Sequence, residues 1–178
     1  MKKFNSLLCV ALVLCLFVAF AAGSSSDVSV SKAPTDDNSA PASSEKEDAV
    51  TPGNLTISVG ETLTVNNLKI TYVKCEEVTD FDSYCEPAEG NIVYCLSFKF
   101  ENNSSTDHFV SFYDFDCYAD NEAAELYLYG DNTLSATVSP GRTASGNVYF
   151  EVPASATEIE VEYTTDFWSN DKAIFVVK

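Results

Sequence analysis

The stretch NIVYCLSFKFENN, residues 91–103, alternates large apolar side chains with smaller or polar ones and then stops at a turn. This two-residue period predicts a central β-strand. One face would carry Ile92, Tyr94, Leu96, Phe98 and Phe100, and the other would carry Val93, Cys95, Ser97 and Lys99. The stretch therefore indicates a fold, and it identifies no activity.

Shorter alternating runs lie on both sides of this strand. Residues 68–78 precede it, and residues 109–119, 146–152 and 159–163 follow it. About eight short strands, with turn signals roughly every eight to twelve residues and no helical apolar period, predict an antiparallel immunoglobulin-like β-sandwich. A small barrel is the alternative architecture.

The first 53 residues divide into two segments outside the predicted fold. Residues 1–23 carry Lys2 and Lys3 before an apolar run that ends in small residues, which is typical of an export signal. The run is short for a membrane span, so we expect cleavage after Ala21 or Gly23, with an uncleaved anchor as the alternative. Residues 24–53 are rich in Ser, Ala, Pro and acidic residues and predict a disordered linker, which leaves residues 54–178 for the β-sandwich.

Ser24 stands where a lipoprotein would have the cysteine that accepts the lipid. A serine has no thiol for that reaction, so the signal looks like a lipoprotein signal without its cysteine. We therefore favour a secreted product, with no stable insertion in the membrane once the signal is removed.

The chain is strongly acidic. Its formal net charge is -17, and loss of Lys2 and Lys3 with the signal would bring it to about -19. Nucleic acids and anionic membrane surfaces would repel such a protein, so we expect no nucleic-acid partner. Solubility outside the cell explains the charge most simply, and a cationic partner or a bound cation is the more specific interpretation.

Three stretches carry a family resemblance: residues 61–72, GNIVYCLSFKFENNSS at residues 90–105, and SPGRTASGNVYFEVPASATEIEVEY at residues 139–163. Together they resemble a family of uncharacterised immunoglobulin-like domains of Gram-positive secreted proteins and lipoproteins. The resemblance implies a sandwich related to a secreted mycobacterial immunoprotective antigen, a cell-surface or extracellular location, and no known activity. Two positions depart from the family: Ser24 replaces the anchoring cysteine, and a glycine expected near Asn121 and Glu122 is missing.

Four cysteines follow the signal, and an even number in an exported protein suggests two disulfides. If residues 68–78 and 91–103 form a hairpin, Ile70 opposes Phe100, Tyr72 opposes Phe98 and Cys75 opposes Cys95. This register predicts the bridge Cys75–Cys95 and, by elimination, Cys85–Cys117. The other pairings and free thiols stay open, while the spacing is unlike that of a zinc site.

Sites for metal binding or catalysis are weakly indicated. Acidic residues cluster in two predicted loops, where Asp80 and Asp82 are the least implausible calcium ligands, although neither loop has calcium-loop spacing. His108 is the single histidine, and no pattern pairs a nucleophile with a base. We therefore predict no catalytic residues, no cofactor and no enzymatic activity.

Aromatic residues near predicted loops and edges are the remaining candidates for function. Tyr127 and Tyr129 are two of them, and we predict an interaction patch at Phe167 and Trp168. The favoured hypothesis is a non-enzymatic extracellular interaction or structural module whose partner is an unidentified protein or envelope component. The alternative hypothesis is a domain of an envelope system that binds calcium or a small ligand.

Overall fold

The computed structural model describes residues 28–32, 55–164 and 172–178, which form twelve strands and one 3₁₀ turn. The strands are β1 (Val28–Lys32), β2 (Leu55–Ile57), β3 (Glu61–Val65), β4 (Leu68–Val78), β5 (Asn91–Asn102), β6 (His108–Ser111), β7 (Phe115–Ala119), β8 (Glu122–Leu126), β9 (Ser135–Val138), β10 (Thr143–Pro153), β11 (Ile159–Thr164) and β12 (Lys172–Val176). The predicted antiparallel β-sandwich is confirmed, with more strands than the eight expected. None of the residues described forms a helix long and apolar enough to cross a membrane.

Ten strands are hydrogen-bonded in the order β1-β3-β4-β5-β10-β8-β7-β11-β12-β2, and β6 pairs separately with β9. β8 joins the two halves of this arrangement, because Leu126 pairs with Phe150 on β10 while Ala124 pairs with Cys117 on β7. Among the described strands, only β12 and β2 run parallel. The strands on either side of β8 in this order thus form the two layers of the sandwich.

The core between the layers is built around the aromatic side chains of β5. The ring centroid of Phe98 lies 4.8 Å from that of Phe115 on β7, 4.9 Å from that of Phe175 on β12 and 5.4 Å from that of Tyr72 on β4. The predicted apolar face of β5 is confirmed, since all its members pack in this core: Ile92, Tyr94, Leu96, Phe98 and Phe100. Burial of such side chains is the main stabilising contribution to folding.

β1 corrects the prediction that residues 24–53 are a linker throughout. It pairs antiparallel with β3 from Val28 opposite Val65 to Lys32 opposite Glu61, and Val30 packs against the core. The edge of β3 presents unpaired backbone groups, and the segment VSVSK, which alternates in the strand period, satisfies them. Outside the described residues lie the predicted signal, the rest of the predicted linker, and Phe167 and Trp168.

The predicted register of β4 on β5 is right as far as Tyr72 and wrong beyond it. Ile70 opposes Phe100 and Tyr72 opposes Phe98, but a β-bulge between Tyr72 and Lys74 shifts the pairing by one residue. Cys75 therefore opposes Leu96, and Glu76 opposes Cys95. Because one residue of slip reverses the side-chain direction, Cys75 turns to the core face and away from Cys95.

The missing glycine near Asn121 is explained by the turn between β7 and β8. Asp120 has φ 50° and Asn121 has φ 68°, the left-handed conformation that a two-residue hairpin turn requires. Asp and Asn tolerate this conformation better than other residues with a side chain. The turn thus needs no glycine.

Candidate functional site

The outer faces of β5 and β10 form the floor of a cleft of 580 Å³, which we call the tyrosine cleft. Its walls are the end of β4, the loop of residues 79–90 and the segment after β8. Four aromatic side chains line it: Phe81, Tyr127, Tyr129 and Tyr149. The remaining side chains of its lining are mainly charged or polar, so the cleft combines apolar ring surface with an ionic rim.

Tyr127 is at the centre of the aromatic group. Its ring centroid lies 5.6 Å from that of Tyr129, 5.9 Å from that of Phe81 and 6.5 Å from that of Tyr149. Tyr127 and Tyr149 are each 8% exposed, whereas Tyr129 is 69% exposed. The cleft therefore has a fixed aromatic floor and one ring, that of Tyr129, available to a ligand.

A hydrogen-bond network fixes Tyr149. Its hydroxyl donates to the carbonyl oxygen of Asp131 at 2.8 Å and accepts from Nδ2 of Asn147 at 3.1 Å. Asn147 also accepts from the hydroxyl of Ser97 at 2.9 Å. Burial, and then the hydrogen bond with the Cys95 thiol, raises the pKa of Tyr149 to about 12, so this hydroxyl stays protonated at neutral pH.

Gly130 allows this arrangement. A Cβ on this residue would lie against the ring of Tyr149, closer than van der Waals contact permits. The main chain can therefore pass over the ring only where no side chain is present. The requirement is steric, since Gly130 is not among the described residues with a positive φ.

The loop of residues 79–90 is held by hydrogen bonds at its middle and near its C-terminal end. The Tyr127 hydroxyl donates to the carbonyl oxygen of Cys85 at 2.5 Å. Further along, Oε1 of Glu151 accepts from the backbone amide of Ala88 at 2.8 Å and from Nδ2 of Asn91 at 2.9 Å. These contacts hold the loop as a wall of the cleft.

The charge around the cleft is negative. Among the described residues of the lining, the only cationic side chain is that of Lys74, which forms an ion pair with Glu76. Five carboxylates line the cleft: Glu76, Glu77, Asp80, Asp82 and Asp131. Carboxylates of one sign around a concave surface attract cations and repel anions. An anionic ligand is accordingly disfavoured.

Several predicted residues meet in this cleft. Asp80, Asp82, Cys85, Cys95 and the two aromatic candidates Tyr127 and Tyr129 all line it. Among the described residues, however, no three His, Cys, Asp or Glu side chains are grouped so as to hold a metal ion. Asp80 and Asp82 therefore form part of an acidic rim, and the structure gives the calcium hypothesis no ligand set.

Other predicted residues lie elsewhere. Cys75 and Cys117 pack in the core, and His108 accepts or donates a 3.0 Å hydrogen bond with the Ser104 hydroxyl outside the cleft. Phe167 and Trp168 fall outside the described residues, so their patch stays a prediction. Sequence reasoning missed Tyr149 as a site residue, although its place on the outward face of β10 was recognisable from the alternation.

Comparison with known proteins gives a family and a fold. Residues 57–174 match the model of a domain of unknown function, DUF4352. No curated protein sequence matches the chain significantly.

Among solved structures, the secreted protein MPT63 of Mycobacterium tuberculosis is 17% identical, with a TM-score of 0.54 over 71% of this chain and 99% of that one. The yjhA protein of Bacillus subtilis is 13% identical, with a TM-score of 0.52 over 68% and 98%. The ycdA protein of Bacillus subtilis is 14% identical, with a TM-score of 0.50 over 62% of this chain and 36% of that protein, so the chain spans about a third of its length. At these identities the likeness concerns the fold alone, and the family match over most of the sandwich shows that the chain belongs to the DUF4352 family.

Proposed function

We propose that this protein is a non-enzymatic binding module that acts outside a Gram-positive bacterial cell, secreted or at the cell surface. The tyrosine cleft would hold a cationic segment of a partner protein or envelope component. One observation carries the proposal: the exposed ring of Tyr129 stands beside a fixed aromatic floor and within a rim of carboxylates. The predicted export signal supports the extracellular setting.

A cationic ligand suits both properties of the cleft. An ammonium or guanidinium group over a tyrosine ring gains roughly 0.5–2 kcal/mol, depending on how far it is desolvated. The five carboxylates add attraction at longer range. The chain's own residues 33–53 carry five acidic residues and one lysine, so they are poorly matched to this cleft. We therefore assign the cationic segment to a separate molecule and not to this linker.

The chemistry of the cleft supports binding more than catalysis. Burial raises the pKa of the Cys95 thiol, and a protonated thiol is a weak nucleophile. The one histidine of the chain, His108, does not line the cleft. The family is of unknown function, and the names of the three similar structures state no enzymatic activity.

The test is a calorimetric titration of the folded protein with amidated hexalysine, with hexaglutamate as the anionic control. Hexalysine should bind and hexaglutamate should not. Tyr129→Ala should weaken hexalysine binding by about fivefold, which corresponds to loss of about 1 kcal/mol of cation–π attraction. The matched control is Tyr113→Ala, because Tyr113 is 70% exposed and lies outside the cleft.

Equal affinities of the two variants would show that hexalysine responds only to net charge, and the cleft would then not be its site. The double substitution Asp80→Asn and Asp82→Asn, which neutralises part of the rim, should also weaken hexalysine binding more than the double substitution Glu122→Gln and Glu125→Gln, because Glu122 and Glu125 are not in the lining.

A thermal melt with calcium chloride tests the alternative hypothesis. A midpoint that calcium raises and a chelator restores would favour a calcium-binding domain.

A further inference from the structure

The sheet formed by β4, β5 and β10 separates the four cysteines into two pairs. Cys75 opposes Leu96, which is fully buried in the core between the layers. Cys95 opposes the exposed Glu76 and lies beside Tyr149 on the outer face. A disulfide requires its two Cβ atoms to approach within about 4.5 Å, which side chains on opposite faces of one sheet do not achieve. Cys75 and Cys95 therefore cannot bridge without rearrangement of the sheet.

Cys117, on β7, lies on the same side as Cys75. Its strand partners are Ala124 on β8 and Val161 on β11. Cys117 is 2% exposed and belongs to the core cluster against which Cys75 packs. Burial, and then the nearby Cys75 thiol, raises the pKa of Cys117 to about 12. The two cysteines thus belong to one core cluster, one from each layer.

Cys85 lies on the other side, with Cys95. Both line the tyrosine cleft: Cys85 in the loop wall and Cys95 in the floor. Their surroundings are connected, because the Tyr127 hydroxyl donates to Cys85 while the Tyr127 amide donates to the carbonyl oxygen of Tyr149, the strand partner of Cys95. Neither residue of this pair has access to the core.

We propose that the four cysteines, which are free thiols in this structure, form two disulfides after export: Cys75–Cys117 between the layers and Cys85–Cys95 across the tyrosine cleft. Each bridge forms by thiol–disulfide exchange with an extracytoplasmic disulfide-carrying oxidant. Two protein thiols lose two electrons and two protons, one protein disulfide forms, and the oxidant is reduced to two thiols. This pairing replaces the one predicted from the sequence.

The two bridges would have different effects. Cys75–Cys117 would link the layers covalently, whereas Cys85–Cys95 would hold the loop of residues 79–90 against the floor of the cleft. The argument for the pairing uses only the positions of the cysteines and does not use the cationic ligand. Because Cys85 and Cys95 line the tyrosine cleft, the peptide map tests the pairing and the hexalysine titration tests the binding, and each result stands by itself.

Peptide mapping of the full exported chain, alkylated before any reduction, tests the pairing. Trypsin alone leaves Cys75, Cys85 and Cys95 in one peptide, but additional cleavage after glutamate at Glu77 and Glu89 separates all three. The expected products link the Cys75 peptide to the Cys117 peptide and the Cys85 peptide to the Cys95 peptide. A Cys75–Cys95 or Cys85–Cys117 link, or alkylated thiols at any of the four positions in most molecules, would overturn the proposal.

Single variants give a second measurement on folded protein. Cys85→Ser should leave one free thiol, at Cys95, which is alkylated after unfolding without reduction, while the Cys75 and Cys117 peptides stay linked. Reduction of the exported wild-type protein should lower its melting midpoint by roughly 20–25 °C, because both closed loops gain entropy in the unfolded chain. An unchanged midpoint after complete reduction would count against two structural bridges.

Discussion

Replacement of Asn102 by alanine should destabilise the sandwich by about 3 kcal/mol, through loss of hydrogen bonds and of buried volume. Asn102 ends β5 and is fully buried. Its Nδ2 donates to the carbonyl oxygens of Thr106 at 2.7 Å and Val138 at 2.8 Å, while its Oδ1 accepts from the backbone amide of Ser104 at 2.9 Å and from its hydroxyl at 2.7 Å. One side chain thus connects the end of β5 with the end of β9.

The expected magnitude follows from which partners can turn to water. Ser104 is only half-buried, so its groups can be hydrated after the substitution. The carbonyl oxygen of Val138, a residue that is 1% exposed, would lose this donor in the interior, at a cost of about 1–3 kcal/mol. The cavity left by the amide adds to this loss.

Urea unfolding followed by circular dichroism measures the difference, with Asn103→Ala as the matched control. Asn103 is the next residue, is exposed, and its side chain donates one 3.0 Å hydrogen bond to Glu101. The control should change the free energy of unfolding by about 0.5 kcal/mol or less. The Asn102→Ala midpoint should fall by roughly 10 °C in a thermal melt. If the two variants differed by less than about 1 kcal/mol, the side-chain hydrogen bonds of Asn102 would not stabilise the fold as reasoned.

Three further predictions concern Gly130, Tyr149 and Asp120. Gly130→Ala should cost roughly 2 kcal/mol in urea unfolding, because the new Cβ must displace the Tyr149 ring; a wild-type midpoint would contradict this. Burial raises the pKa of Tyr149 to about 12, above its unfolded value, so its contribution to stability is complete below pH 10 and is lost as the pH rises toward about 12. Tyr149→Phe should therefore lose less stability than wild type between pH 8 and pH 11, and equal losses would refute the assignment. Hydrogen bonds from the Glu158 amide and from Thr157 lower the pKa of Asp120. The contribution of Asp120 to stability is therefore present above its unfolded pKa and is lost as the pH falls through its folded pKa. Thermal melts of Asp120→Asn should accordingly show a weaker acid dependence than those of the wild type.

The sequence alone determined the class of fold and the faces of its strands. Strict alternation in residues 91–103 specified which side chains of β5 enter the core, since a strand turns successive side chains to opposite faces. Residues 148, 150 and 152 followed the same rule on β10. The excess of acidic residues, by contrast, left two interpretations of the charge open, solubility outside the cell and a cationic partner or bound cation. These features are local or compositional, and neither kind depends on how distant segments pack together.

The tertiary structure decided the register after Tyr72, the pairing of β1 with β3 and the position of the tyrosine cleft. A bulge inserts one residue without a distinctive sequence pattern, so the opposite facing of Cys75 and Cys95 could not be predicted from alternation. Likewise, the cleft gathers side chains from β4, β5, β10, the loop of residues 79–90 and the segment after β8. Residues so far apart in the chain are brought together only by strand pairing. Such contacts depend on the order of the strands in the sheet, and a local sequence pattern does not contain that order.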